Sequence, residues 1–146
     1  MAVTATVYNN FKLKLIDSST KINFASDTIK LALVTSSYTP DIDTQDFWDD
    51  VSANEASGTG YTAGGATLAS PTVAVVAASD LAKFDADDVS WTISSALSTR
   101  YAVLYKSTGT ASTSPLIGYI DLGATTSLSA GTLTFVWSAS GVLTIA

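Results

Sequence analysis

Carboxylates gather at two places in this chain, and they are the first side chains to ask for chemistry. Asp41, Asp43, Asp46, Asp49 and Asp50 lie in one short stretch, and Asp85, Asp87 and Asp88 in another. Paired carboxylates at a suitable separation hydrolyse glycosidic bonds, and Asp-x-Asp spacing brings oxygen ligands together for calcium. An EF-hand loop also needs a Gly at its sixth position and a Glu at its twelfth. Counted from Asp41, those positions hold Asp46 and Ser52. Both stretches therefore read as solvated acidic loops, and no metal site is assigned to them. No aromatic pattern of a substrate cleft accompanies the acids, which leaves a glycan-binding or hydrolytic module as the weakest of the functional alternatives.

Gly58-Thr59-Gly60-Tyr61-Thr62-Ala63 loosely matches a dinucleotide-binding turn. That turn needs a strand before it and a helix after it, whose N-terminus meets the pyrophosphate. Here a second glycine pair, Gly64-Gly65, and then Thr67-Leu68 extend the chain instead. A flexible β loop is the simpler reading, and no cofactor is expected. The chain has no His and no Cys. That removes the commonest general base near neutral pH, the commonest metal ligand, and every thiolate nucleophile or disulfide. The expectation is a protein that is not an enzyme.

Charge narrows the partners. Thirteen acidic and seven basic residues leave a net charge of −6, the wrong sign for contacting phosphates, so no nucleic-acid partner is expected. No basic amphipathic helix and no apolar run of spanning length suggest a membrane partner. The N-terminal Met1-Ala2-Val3-Thr4 lacks the basic and then apolar character of a secretory signal. Only 14% of residues are charged, against about 25% in ordinary soluble domains. A surface of Ser, Thr and small residues is cheaply buried against a neighbour, which suits a subunit of an assembly.

These residues must be carried by a mainly β domain. At 146 residues the chain suits a single domain, 1–146. Residues 9–18 fit either a short helix capped by Asn9 or Asn10 with Phe11, Leu15 and Ile16 on one side, or a strand with Phe11, Leu13 and Leu15 alternating with lysines; the helix is preferred. Residues 28–35 form the clearest strand. Asp43 or Thr44 is expected to cap a short helix bearing Asp46 in its first turn, with Phe47, Trp48 and Val51 anchoring it. Further strands are expected at 66–77, 81–92 (with a turn at Asp85–Asp88), 100–106, 115–122, 131–138 and 141–145. Ser107 to Pro115 and Gly123–Ala130 read as connectors. The predicted architecture is a single-domain antiparallel β-sandwich or partly closed barrel with one or two short helices.

Phe47 and Trp48 beside five carboxylates resemble the aromatic centre and acidic rim of a contact surface, although both rings also suit the domain's own core. Asp46, Phe47, Trp48, Asp49 and Asp50, with Tyr61 from the glycine-rich loop, are the candidate interface residues. Trp91 and Trp137 lie in strand patterns and are assigned to the core.

Several ordered blocks are similar to the small virion proteins of tailed bacteriophages: TIKLALVTSSYTP at 28–40, the acidic stretch 41–50, GTGYTAGGATL at 58–68, RYAVLY at 100–105, SPLIGYIDL at 114–122 and GTLTFVW at 131–137. The resemblance covers most of the chain from about residue 20 onward, and none of its blocks carries chemistry. It implies a structural component of the virion, made in the cytoplasm of a bacterial host. The first expectation is a capsid decoration (cement) protein. Such a protein binds the outer capsid surface, bridges copies of the major capsid protein and stabilises the shell, often as a homo-oligomer. The alternative is a tail, fibre or head–tail connector component, although the chain lacks the long repeat or coiled-coil stalk of a fibre.

Overall fold

The computed structural model describes residues 2–146. In chain order the strands are β1 (Thr4–Val7), β2 (Ile29–Val34), β3 (Ala66–Thr67), β4 (Thr72–Val76), β5 (Leu81–Asp85), β6 (Val89–Ile93), β7 (Leu97–Lys106), β8 (Leu116–Leu128), β9 (Gly131–Phe135) and β10 (Leu143–Ile145), with helices α1 (Asn9–Asp17) and α2 (Asp49–Ser52). Every strand pair is antiparallel. They form a five-stranded sheet in the order β1-β8-β7-β2-β3, a three-stranded sheet β10-β5-β4 and a two-stranded sheet β6-β9. The fold is mainly β and sandwich-like, without a closed barrel. No described helix is long and apolar enough to cross a membrane.

The large sheet is organised by β2 and β7, which are hidden on both faces. Every side chain from Leu31 to Val34 and from Tyr101 to Tyr105 is buried. Strand side chains alternate between faces, so two layers must cover this pair. Tyr101 and Tyr105 point towards the segment that follows β2, where Tyr38 meets Tyr101 edge-on at 5.4 Å and Trp48 stacks on Tyr105 at 4.5 Å. On the opposite face, Leu31 and Leu104 look towards Val142 and Leu143. Buried residues of all three sheets join one contiguous core.

Burying β2 obliges its outer edge to find partners, because an unpaired buried N–H or C=O costs about 1–3 kcal/mol. β3 opposes only Lys30 and Leu31. Beyond it the chain completes the edge piece by piece. Leu68 N–H donates to the Ile29 carbonyl, and Ala56 N–H to the Leu33 carbonyl. Thr35 N–H donates to Asn54 O, and the Leu33 N–H donates to the Tyr61 hydroxyl at 3.0 Å. The glycine-rich loop is thus an edge seal. It needs glycine where it presses against backbone: a Cβ on Gly65 (φ +75°) would sit 2.1 Å from Leu31 O, and one on Gly60 (φ +101°) 1.9 Å from Thr92 O.

Several expectations are corrected here. Residues 9–17 are helical, but the helix begins after Tyr8 and neither asparagine caps it. Asn9 Nδ2 instead donates to the Asp43 carboxylate, and Asn10 Nδ2 to the carbonyls of Asp43 and Gln45. The expected strand 66–77 is two strands, parted where Ser70 turns left-handed (φ 52°) ahead of Pro71. The 81–92 segment is two strands, parted at Ala86–Asp88, where the turn at Asp85–Asp88 is expected. Gly123–Ala130 is no connector: β8 runs on to Leu128 and pairs Thr126, Ser127 and Leu128 with Thr99, Ser98 and Leu97. Small and hydroxylated residues hid that strand, because its stability comes from the hairpin partner and not from its own apolar pattern. Between the two paired stretches β8 bulges opposite Arg100. Asp121 anchors the bulge, receiving Arg100 Nε at 3.2 Å and Gly123 N–H at 2.8 Å, and the guanidinium holds its carboxyl below the usual range.

Replacing Gly65 with Ala should lower the unfolding free energy by about 2 kcal/mol or more, from left-handed strain and backbone overlap together. Denaturant unfolding measures it, and a Gly65→Ala chain as stable as the parent would show that the loop can lift from β2 without loss.

Candidate interaction surface

The acidic stretch 41–50 is built by its own carboxylates acting as backbone acceptors. Asp41 Oδ1 accepts the N–H groups of Asp43 and Thr44, which closes a turn in place of the expected helix start. Those bonds hold the Asp41 carboxyl below its ordinary pKa range. Asp50 Oδ2 accepts the N–H groups of Asp46 and Phe47. Helix α2 therefore starts at Asp49, and neither Asp43 nor Thr44 caps it. Lys14 Nζ lies 3.7 Å from Asp46 and 4.7 Å from the Phe47 ring centroid. The backbone of 46–48 is tied to the β7–β8 connector, with Leu116 N–H donating to Asp46 O and Trp48 N–H to Ser114 O.

The candidate interface residues consequently part company. Trp48 is only 6% exposed and its ring lies nearly parallel to that of Tyr105, at 6°; it is a core residue with no face left for a partner. Phe47 is half-buried under Lys14. Asp46 and Asp50 are occupied internally, while Asp49 is exposed and makes no hydrogen bond or ion pair among the described residues. Tyr61 belongs to the seal on β2: its hydroxyl donates to Glu55 Oε1 at 2.6 Å and its ring lies 5.8 Å from Trp91. Glu55 also accepts the Gly64 N–H at 2.6 Å, and the Tyr105 hydroxyl donates to Gly64 O at 2.7 Å. Trp91 is in the core as expected, and Trp137 is half-buried.

The second acidic stretch is structural in the same way. Asp85 pairs with Lys83 at 3.1 Å, Asp87 accepts the Ser70 hydroxyl at 2.6 Å, and Asp88 accepts the Trp137 N–H at 2.9 Å. Among the described residues, no three acidic side chains converge on a point suited to a metal ion.

What the structure leaves without a partner is apolar. The pairing registers place Val73, Phe84 and Leu143 in one row across the three-stranded sheet, and Val75, Ala82 and Ile145 in the next row of the same face. Phe84 turns inward, 3% exposed and 4.7 Å from Phe24. This is the face meant for burial, while Lys83, Asp85, Thr72 and Thr144 line the other. Yet Val75 is 79% exposed, Val73 55% and Ile145 47%. The sheet overhangs the core. On α1 Leu13, Leu15 and Ile16 are also exposed, and Leu15 joins Ile22, Phe24 and Val73 in lining one shallow hollow. On the other flank Val3, Val136, Val142 and Leu143 border an apolar groove of about 480 Å³ between the sheets. The sequence signal for this surface was the valine alternation at 73 and 75; periodicity alone does not say that nothing covers it.

No protein-family model, curated protein or solved structure matches the chain. The surface chemistry is therefore the guide to function: most acidic groups are engaged internally, while valine, leucine and isoleucine are exposed on the β4-β5-β10 sheet, on α1 and beside the groove at Val3 and Val136. That arrangement is suited to binding another macromolecule through apolar contact.

Trp48→Ala should destabilise the fold by about 3–5 kcal/mol, while Asp49→Lys should change stability by less than about 0.5 kcal/mol. Parallel denaturant titrations of the two variants distinguish a core ring from an interface ring. Burial also pushes the Tyr38 and Tyr105 hydroxyls up to about 12, and raises Tyr8 and Tyr61 as well. Unfolded tyrosines ionise near about 10, so the stability these groups contribute is intact below that pH and is lost as the pH climbs from about 10 through about 12. Tyrosinate absorbance should rise together with loss of far-ultraviolet ellipticity; full ionisation in a chain with native ellipticity would contradict this.

Proposed function

We propose that the chain is a structural subunit of a tailed-bacteriophage virion, a decoration protein that binds the outer face of the capsid and bridges copies of the major capsid protein. The observation that carries this reading is the overhanging apolar face of the β4-β5-β10 sheet, with Leu15 of α1 beside Val73. A subunit with a permanent neighbour can keep such a surface; a free monomer gains nothing from it. The virion resemblance supports the same reading; its blocks fall on β2, on the acidic stretch 41–50 leading into α2, on the glycine-rich seal with β3, and on β7, β8 and β9.

The mechanism is contact area multiplied by copy number. Each subunit adds a modest apolar interface, and attachment to several capsid subunits at once raises the effective affinity without new contacts. The net charge of −6 suits an exterior position, away from packaged DNA. Gel densitometry of purified particles should give a copy number comparable to that of the major capsid protein. A few copies per particle, or recovery with tail fragments after heads are removed, would replace decoration with a tail assignment.

A further inference from the structure

We propose that β4 pairs antiparallel with β4 of a second copy of this chain, joining two three-stranded sheets into one continuous six-stranded sheet. The inference concerns self-association and does not depend on the virion reading.

β4 is the longest outer edge of the two larger sheets, five residues against four for β1, three for β10 and two for β3. It pairs in regular register with β5 from Thr72 to Val76, without a bulge. On its other side no strand pairs with it among the described residues. Proteins that leave an edge strand open usually blunt it with a lysine, an internal proline or a bulge. β4 has none of these, and residues 56–79 contain no charged side chain at all. The large sheet shows the contrast, because the outer edge of β2 is sealed bond by bond.

The occupant follows from self-complementarity and charge. A two-fold axis through Ala74 sets Val73 opposite Val75 of the partner subunit, Ala74 opposite Ala74 of the partner subunit, and Thr72 opposite Val76 of the partner subunit. Such β-branched and apolar cross-strand pairs are favourable, and a two-fold contact closes on itself without growing a fibre. Each exposed row Val75–Ala82–Ile145 then continues into the row Val73–Phe84–Leu143 of the partner subunit, so the overhanging face becomes an unbroken apolar stripe. Two chains of charge −6 repel, so a contact between copies must fall where acids are absent. Of the charges around β4, Lys83 and Asp85 stand on the opposite face of β5 and neutralise each other at 3.1 Å, while Asp80 and Asp87 lie beyond the two ends of the strand.

The absence of cysteine makes the test direct. In a two-fold antiparallel pair the Cα atoms of opposed residues lie about 4.5–5.5 Å apart, within disulfide reach. The Ala74→Cys chain, oxidised with copper phenanthroline at micromolar concentration, should give a covalent dimer at least tenfold faster than Ser112→Cys, whose exposed position lies on the β7–β8 connector. Light scattering should show twice the monomer mass for the parent chain. Val75→Lys should be monomeric with unchanged ellipticity, because Val75 is 79% exposed and not part of the core, and its unfolding midpoint should no longer depend on protein concentration as a dimer's does. A monomeric parent chain, Ala74→Cys coupling no faster than Ser112→Cys, or a folded Val75→Lys chain that still dimerises would each overturn the proposal.

Discussion

The double burial of β2 is the constraint on which the rest of the structure depends. A strand covered on both faces cannot leave its edge to water, so every backbone group along it needs a partner from the protein. β7 supplies one side in full. The other side is assembled from Leu68, β3, the Tyr61 hydroxyl, Ala56 and Asn54. That requirement explains why a glycine-rich loop, a tyrosine and a glutamate sit together here. Their proximity in space resembles a reactive cluster, but each member is spent on holding the loop against the sheet.

The same economy governs the acids. Asp41, Asp50, Asp85 and Asp121 accept backbone N–H groups or ion-pair donors close by in the chain or across a bulge, and Asp88 accepts the N–H of distant Trp137. A carboxylate used this way shapes a turn. The polar inventory is therefore inward-looking. The apolar inventory is not, because the β4-β5-β10 sheet and α1 present side chains that the chain's own core does not reach.

The aromatic side chains connect the two halves of this picture. Tyr8, Tyr38, Tyr101 and Tyr119 form a chain of ring contacts on one face of the large sheet, and the Tyr38 hydroxyl donates to Gln45 Oε1 at 2.6 Å. Gln45 also receives the Asp41 N–H and donates to Thr39 O, so the core fastens the acidic loop from beneath. Trp48 does the same at the far end of the loop through Tyr105. Neither ring set is available to a partner, although residue type alone makes Trp48 the natural anchor of an interface.

The sequence by itself determined the β class, the position of most strands and the absence of His- or Cys-based chemistry, because period-two alternation and composition are local properties. It also marked 28–35 as a strand through its apolar run, and only weakly preferred a helix at 9–18 because Phe11 and Leu15 fit both periods. Tertiary structure alone decided the rest. β8 runs past Gly123 because β7 lies alongside it, and the strand expected at 66–77 breaks where the chain must leave the β2 edge for the second sheet. Trp48 is buried because the β7–β8 connector draws 46–48 onto Tyr105. Val73 and Val75 read as ordinary core alternation, and only the finite reach of the large sheet leaves them uncovered. Burial is a property of what lies opposite a residue, and that is fixed by the packing of distant segments rather than by the residues beside it.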